Sequence, residues 1–144
     1  IMLTDWKHEV NKKPKLRTYV TLKSNVNVEP YVKYCVNRQT RSLMAQLRSG
    51  ILPIRIETGR FCKLPVEERL CEMCNQGKVE DEFHFIMECP LYHQERQGMF
   101  EKTDIDGGAG GDRENFQLLF KTHWREVGAY LTAAWAKRRS TLFR

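Results

Sequence analysis

The chain has 144 residues, a formal net charge of +6 and a mean hydropathy of −0.58, with 41% hydrophobic and 29% charged residues. That length suits one domain, or one domain with a tail, and leaves room for a modest core. No apolar run approaches the roughly 18 residues of a membrane span, and no secretory signal stands out, so a membrane partner is not expected. Five cysteines, an odd number with metal-like spacing, point to a reducing intracellular compartment, nucleus or cytoplasm. The chain opens on Ile1 before Met2, which fits ends cut from a longer protein.

Charge is unevenly spread. Residues 1–60 carry twelve Lys/Arg against four Asp/Glu, a net +8. Residues 61–106 carry five against eleven, a net −6, and residues 107–144 seven against three, a net +4. The flanks, not the middle, are therefore the places expected to meet phosphate.

Residues 1–30 read as a basic N-terminal extension with Trp6, then Lys12, Lys13, Lys15 and Arg17. Tyr19-Val20-Thr21-Leu22 predicts a short strand or extended segment. Pro30 suits a first helical position, and Val32, Val36, Leu43 and Leu47, with Met44 alongside, predict a helix from Tyr31 to Ser49. Cys35 reads as a small core residue on it. Gly50 stands where a C-terminal cap belongs, with Pro53 just beyond. Lys33, Asn37, Arg41 and Arg48 fall on the opposite side, with Arg38 nearby, giving one apolar and one basic face. A solvated surface and a phosphate-contacting surface are both open readings of that face.

The middle, residues 31–106, carries the most specific pattern: Cys71, Cys74, His84 and Cys89 as C-x2-C-x9-H-x4-C. A close Cys pair on a turn and a His/Cys pair about one helical turn apart supply two halves of a tetrahedron. Three thiolates and one imidazole leave no open position for water, so one structural Zn2+ is expected rather than a catalytic one. The competing reading is a set of ordinary reduced, buried cysteines. Cys62 is left over and His93 lies just beyond; either is a weak spare ligand. Gly77 turns the chain after the Cys pair, and Glu80, Asp81 and Glu82 favour a helix start there. That helix is predicted to run to about Glu88 and to stop at Pro90, with Phe83 and Ile86 packing.

Residues 107–111, Gly-Gly-Ala-Gly-Gly, predict a flexible linker, flanked by Asp104 and Asp106 as loop residues and by Asp112 as a cap. In residues 112–144, Phe116, Leu119, Phe120, Trp124, Val127, Leu131 and Trp135 recur at helical spacing, predicting one amphipathic helix or two. The expected fold is mainly α: a small zinc-stabilised helical domain with few short strands, followed by an amphipathic helical tail.

Several segments together resemble a known family. They are Pro14-Lys15-Leu16-Arg17-Thr18-Tyr19, Arg41 to Gly50, Pro53, Ile56-Glu57-Thr58-Gly59-Arg60-Phe61, Glu68-Arg69-Leu70-Cys71 with Cys74, Val79 to Phe85, and Glu88-Cys89-Pro90-Leu91-Tyr92. Over roughly residues 5–100 the chain is similar to the region after the polymerase domain in reverse transcriptases of animal non-LTR (LINE-like) retrotransposons. The resemblance implies a zinc-knuckle-like region that helps hold template RNA or target DNA beside the polymerase. Carried over to this chain, it implies Cys71, Cys74, His84 and Cys89 as metal ligands. Nine residues separate Cys74 from His84, against four in the compact retroviral knuckle, so base readout of the compact kind is not implied.

A polymerase needs paired catalytic aspartates for two metals, and no Tyr-x-Asp-Asp motif or nuclease carboxylate cluster occurs here. His8, His93 and His123 stand in no motif with Ser or Cys, and no phosphate loop is present. The expected function is thus a non-catalytic nucleic-acid-binding module with RNA or DNA as partner and no small-molecule substrate. Lys15, Arg17, Lys33, Arg38, Arg41, Arg48, Arg55 and Arg60 would grip phosphates, and Trp6 and Tyr19 would stack on bases or anchor the core. The alternative is a zinc-stabilised protein-interaction module whose aromatic C-terminal helix docks on a polymerase domain or a host partner. Salt separates the two, because phosphate contacts weaken steeply as it rises.

Overall fold

The computed structural model describes residues 2–23, 28–34, 37–103, 105 and 113–142. Cys35, Val36, the 107–111 run and Asp104, Asp106 and Asp112 lie outside the described residues. The chain is mostly helical: α1 (Met2–Asn11), α2 (Arg17–Leu22), α3 (Pro30–Tyr34), α4 (Arg38–Ser49), α5 (Arg55–Phe61), α6 (His93–Glu101), α7 (Arg113–Thr122) and α8 (Trp124–Leu142). The one β pairing among the described residues is an isolated antiparallel bridge, Leu70 to Val79.

The expected strand at Tyr19–Leu22 is helical instead, as part of α2. Thr18 and Leu22, four apart, are the residues it buries, a helical repeat that overrides the local β preference of Val20 and Thr21. Helix 31–49 is broken into α3 and α4. Asn37 stops continuity by capping α4: its Oδ1 accepts from the Thr40 N–H at 3.0 Å, and an Asn side chain that satisfies such a free N–H stabilises a new helix start. At the far end Gly50 adopts φ +75, the left-handed cap expected there. The position requires glycine twice over, because a Cβ would meet the Lys15 carbonyl oxygen at 2.0 Å.

Leu43, Met44 and Leu47 of α4 are buried with Leu52 and Ile54 of the connector, and with Phe85, Ile86 and Tyr92 from the Cys/His region. The C-terminal segment closes this core. It breaks at His123 into α7 and α8, and Phe116, Leu119, Phe120, Val127, Tyr130, Leu131 and Ala134 are all buried in the same cluster. At roughly 1.5–3 kcal/mol per fully buried large apolar side chain, α7 and α8 are a major part of what holds the fold. Gly128 permits close approach of α8 to α4: a Cβ there would lie 2.7 Å from Thr40 Cγ2. The Thr40 and Thr132 hydroxyls hydrogen-bond across the same contact at 2.8 Å. No helix of the described residues is long and apolar enough to cross a membrane.

Candidate metal centre

The first half of the centre is a hairpin. Cys71 N–H donates to the Lys78 carbonyl at 2.8 Å, Glu80 N–H donates to the Arg69 carbonyl at 3.0 Å, and Gly77 turns between them at φ +67. This ladder, with the Leu70–Val79 bridge, holds Cys71 and Cys74 on one short loop.

The second half is a helical turn begun by the acidic run. Asp81 Oδ1 accepts from the His84 N–H at 2.8 Å, and the Asp81 carbonyl accepts from Phe85 N–H at 3.0 Å. From His84 to Glu88 the winding is that of a π-helix, closed by Cys89 N–H donating to the His84 carbonyl at 2.8 Å. The helix expected to run to about Glu88 is present, but its winding is π rather than α. The difference matters: residues five apart diverge by more than a third of a turn on an α-helix, whereas an i→i+5 turn returns Cys89 toward His84. Such turns recur at functional sites.

The two halves bring Cys71 Sγ, Cys74 Sγ, Cys89 Sγ and a His84 ring nitrogen within 4.8 Å of one another, a group that could hold one metal ion. Cys71 Sγ lies 3.8 Å from Cys89 Sγ, and Cys74 Sγ lies 3.5 Å from His84 Nε2. Cys71, His84 and Cys89 are buried and Cys74 is half-buried. Cys62 and His93 are exposed and stand outside the group.

The thiols are coupled. The hydrogen bond to Cys89, reinforced by burial, pushes the Cys71 thiol up to about 12, while the same bond holds Cys89 below its ordinary value. Burial raises Cys74. Burial also disfavours a charged His84, but Cys71 and Glu88 outweigh it and hold the imidazole above its usual pKa. Of the three thiols Cys89 is the one whose ionised form the surroundings favour, and a bound cation would favour ionisation of all three.

Of the residues that support the group, Glu88 stands four positions after His84, while Arg96 and Tyr130 have no short-range signature in the sequence. His84 Nδ1 faces Glu88 Oε1 at 3.4 Å, leaving Nε2 toward the thiols. Arg96 of α6, itself buried, donates to the Ile86 carbonyl at 2.9 Å and the Cys89 carbonyl at 2.7 Å. The buried Tyr130 hydroxyl of α8 donates to the Phe85 carbonyl at 2.6 Å. The carbonyls that a π-turn leaves open are thus filled from two other helices.

Lys15, Arg17, Arg48, Arg55 and Arg60, of the eight basic residues singled out in the sequence, pair with carboxylates of this chain. Lys15 Nζ lies 3.1 Å from Glu57, which Arg60 also reaches at 2.9 Å. Arg17 makes two bonds to Glu82, at 2.7 and 3.0 Å, and Arg55 lies 3.6 Å from Glu72. Arg48 departs furthest from expectation. It is only 3% exposed, paired with Glu29 at 3.4 Å and placed over the rings of Tyr31 and Phe120, so it belongs to the interior rather than to a basic face. Lys33, Arg38 and Arg41 are exposed, as is Arg60 despite its pairing. Trp6 and Tyr19 pack edge-to-face at 6.0 Å.

Comparison with protein-family models, with curated proteins and with solved structures found no match.

Proposed function

We propose that this chain is a zinc-holding, nucleic-acid-binding tail of a non-LTR reverse transcriptase, itself without a catalytic centre. The observation that carries the reading is the convergence of Cys71, Cys74, His84 and Cys89, the four residues that the family resemblance assigns as ligands. Zinc is supported by donor type and by two of the six ligand–ligand separations, the whole group lying within 4.8 Å. Bonds of about 2.3 Å to sulfur and about 2.0 Å to nitrogen in a tetrahedron require sulfur–sulfur edges of about 3.8 Å and sulfur–nitrogen edges of about 3.5 Å. The Cys71–Cys89 and Cys74–His84 separations are 3.8 and 3.5 Å. A closed set of three sulfurs and one nitrogen supplies cross-linking of the hairpin to the π-turn, not a site for substrate.

Nucleic acid as the partner is supported by the net charge of +6 and by the exposed Lys33, Arg38 and Arg41. The rival reading, docking of an aromatic C-terminal helix on another protein, loses its contact face. Phe116, Leu119, Phe120, Val127 and Leu131 are already buried in this chain's own core.

The test is fluorescence anisotropy of the zinc-loaded protein with labelled single-stranded RNA and duplex DNA across a salt titration. Binding that weakens linearly in log salt is expected, with a slope that reports the number of phosphates engaged. Absence of binding to either probe at low salt would overturn the nucleic-acid reading.

A further inference from the structure

Many arginines of this chain are engaged within the fold. Arg17, Arg48, Arg55, Arg60 and Arg138 are held by carboxylates, and Arg69 and Arg96 by backbone carbonyls. Arg38 at the start of α4 and Arg139 near the end of α8 are exposed and have no carboxylate partner among the described residues. These two line the same groove, an open cleft of about 490 Å³ between α4 and α8.

The rest of its lining is Trp135 and Leu43 with the polar side chains of Gln39, Ser42 and Gln46. Among the described residues no carboxylate lines it. Trp135 is half-buried and fixed from within, edge-to-face with Phe85 at 6.2 Å and with the Arg138 guanidinium 5.8 Å from its ring centre. A ring already held in place gives up little conformational freedom when a flat ligand covers it.

We propose that this groove is a subsite for single-stranded nucleic acid, with a base stacked on Trp135 and flanking phosphates held by Arg38 and Arg139. The inference deepens the nucleic-acid reading above and rests on it. Two exposed guanidiniums beside an aromatic surface combine the elements that single-strand binders use: a positive track for the backbone and a stacking platform for bases. The amides of Gln39 and Gln46 add donors and acceptors for a base edge. A duplex keeps its bases stacked on each other and offers no free face to an indole, so the single strand is the ligand that uses every wall of the groove.

The experiment uses the full zinc-loaded chain and a fluorescein-labelled oligo-uridine or oligo-thymidine probe, with a duplex of the same length beside it. Arg38→Glu/Arg139→Glu is compared with Lys63→Glu/Lys102→Glu, two exposed lysines on other surfaces that give the same change in charge. The groove variant is expected to weaken single-strand binding at least about tenfold more than the control variant, beyond the uniform loss each reversed charge causes. Addition of the unlabelled oligomer is expected to quench tryptophan emission in the native chain, and the quench should disappear in Trp135→Phe, which keeps an aromatic edge against Phe85. Arg38→Gln/Arg139→Gln, with a smaller charge change, should show the same order of effect and guards against misfolding. Equal losses in the groove and control variants would overturn the groove assignment while leaving nucleic-acid binding intact. Tighter binding of duplex, without tryptophan quenching, would overturn the single-strand assignment. Failure of the native chain to bind any probe would instead remove the reading on which the inference rests.

Discussion

The Arg138 guanidinium on α8 donates to Glu80 Oε2, and that same oxygen lies 3.7 Å from the Cys71 thiol. The other Glu80 oxygen accepts from the Arg55 backbone N–H at 2.8 Å. Glu80 is 0% and Arg138 3% exposed. Helix α8 is thereby tied to the loop that carries Cys71, the first of the four residues that could hold a metal. Removing one member of a buried pair strands the other charge, which typically costs about 3–5 kcal/mol, whereas replacing both with apolar residues is often near neutral. Glu80→Leu and Arg138→Leu should each lower unfolding free energy by about that amount, and the double variant should recover most of it. Denaturant titrations of the three proteins measure the coupling. Additive losses would mean that the two side chains do not act as a pair.

Metal affinity should depend on a residue that is not itself a ligand. Glu88 faces His84 Nδ1 at 3.4 Å and is in turn reached by Lys78 at 3.1 Å. A carboxylate on the far nitrogen of a ligating imidazole fixes its tautomer, and losing such a partner commonly costs 10–100-fold in affinity. Glu88→Ala should fall by about that factor in a chelator competition at fixed pH, while Cys74→Ser should lose the stoichiometric site. A Glu88→Ala protein that competes as well as the native chain would show that Nδ1 needs no carboxylate here.

Two left-handed glycines should respond differently to one methyl group. Gly50 and Gly77 have φ of +75 and +67, so alanine at either pays the left-handed penalty of about 1–2 kcal/mol. At Gly77 nothing lies within 4 Å of the added carbon, while at Gly50 the Lys15 carbonyl oxygen lies at 2.0 Å. Gly50→Ala must therefore also push the segment before α2 away from α4. Its loss in thermal or denaturant stability should exceed that of Gly77→Ala by at least about 1 kcal/mol, the low end for forced overpacking. Equal losses would indicate that the Lys15 segment yields freely.

The parts of this fold that were legible in the sequence are those written in short-range patterns. The Gly50 cap, the α4 stripe of Leu43, Met44 and Leu47, the C-terminal stripe and the Cys/His spacing each depend on neighbours within about a turn or two. The metal group was legible because ligand spacing constrains the chain directly. What escaped was decided at long range. Tyr19–Leu22 is helical because Thr18 and Leu22 face the core. Arg48 looked like surface charge, yet Glu29, Tyr31 and Phe120 make an interior place for it. The roles of Tyr130 and Arg138 depend on a carbonyl and a carboxylate 45 and 58 positions away, separations at which no periodicity carries information, and Arg96 reaches the Ile86 and Cys89 carbonyls across the break at Pro90.

Glu57 gives the acid response a sign. It is 5% exposed, and although burial pushes its pKa up, the bonds from Arg60 and Lys15 outweigh burial and hold it below the ordinary carboxylate value. As pH falls, the unfolded chain takes up this proton first, near the usual glutamate pKa of about 4.3. The stability contributed by ionised Glu57 is therefore whole above that value and is lost as pH falls through the lower value of the folded state. Glu82 has the opposite sign, because burial keeps its pKa raised despite Arg17, so its ionised form costs stability and protonation relieves that cost. In Glu57→Gln the stability deficit relative to the native chain should be largest at neutral pH and should shrink on the acid side of the ordinary carboxylate range. Taking the difference between the two proteins removes whatever loss of metal binding acid would impose on both. A deficit that stays constant or grows as pH falls would mean that Lys15 and Arg60 do not hold Glu57 in its ionised form.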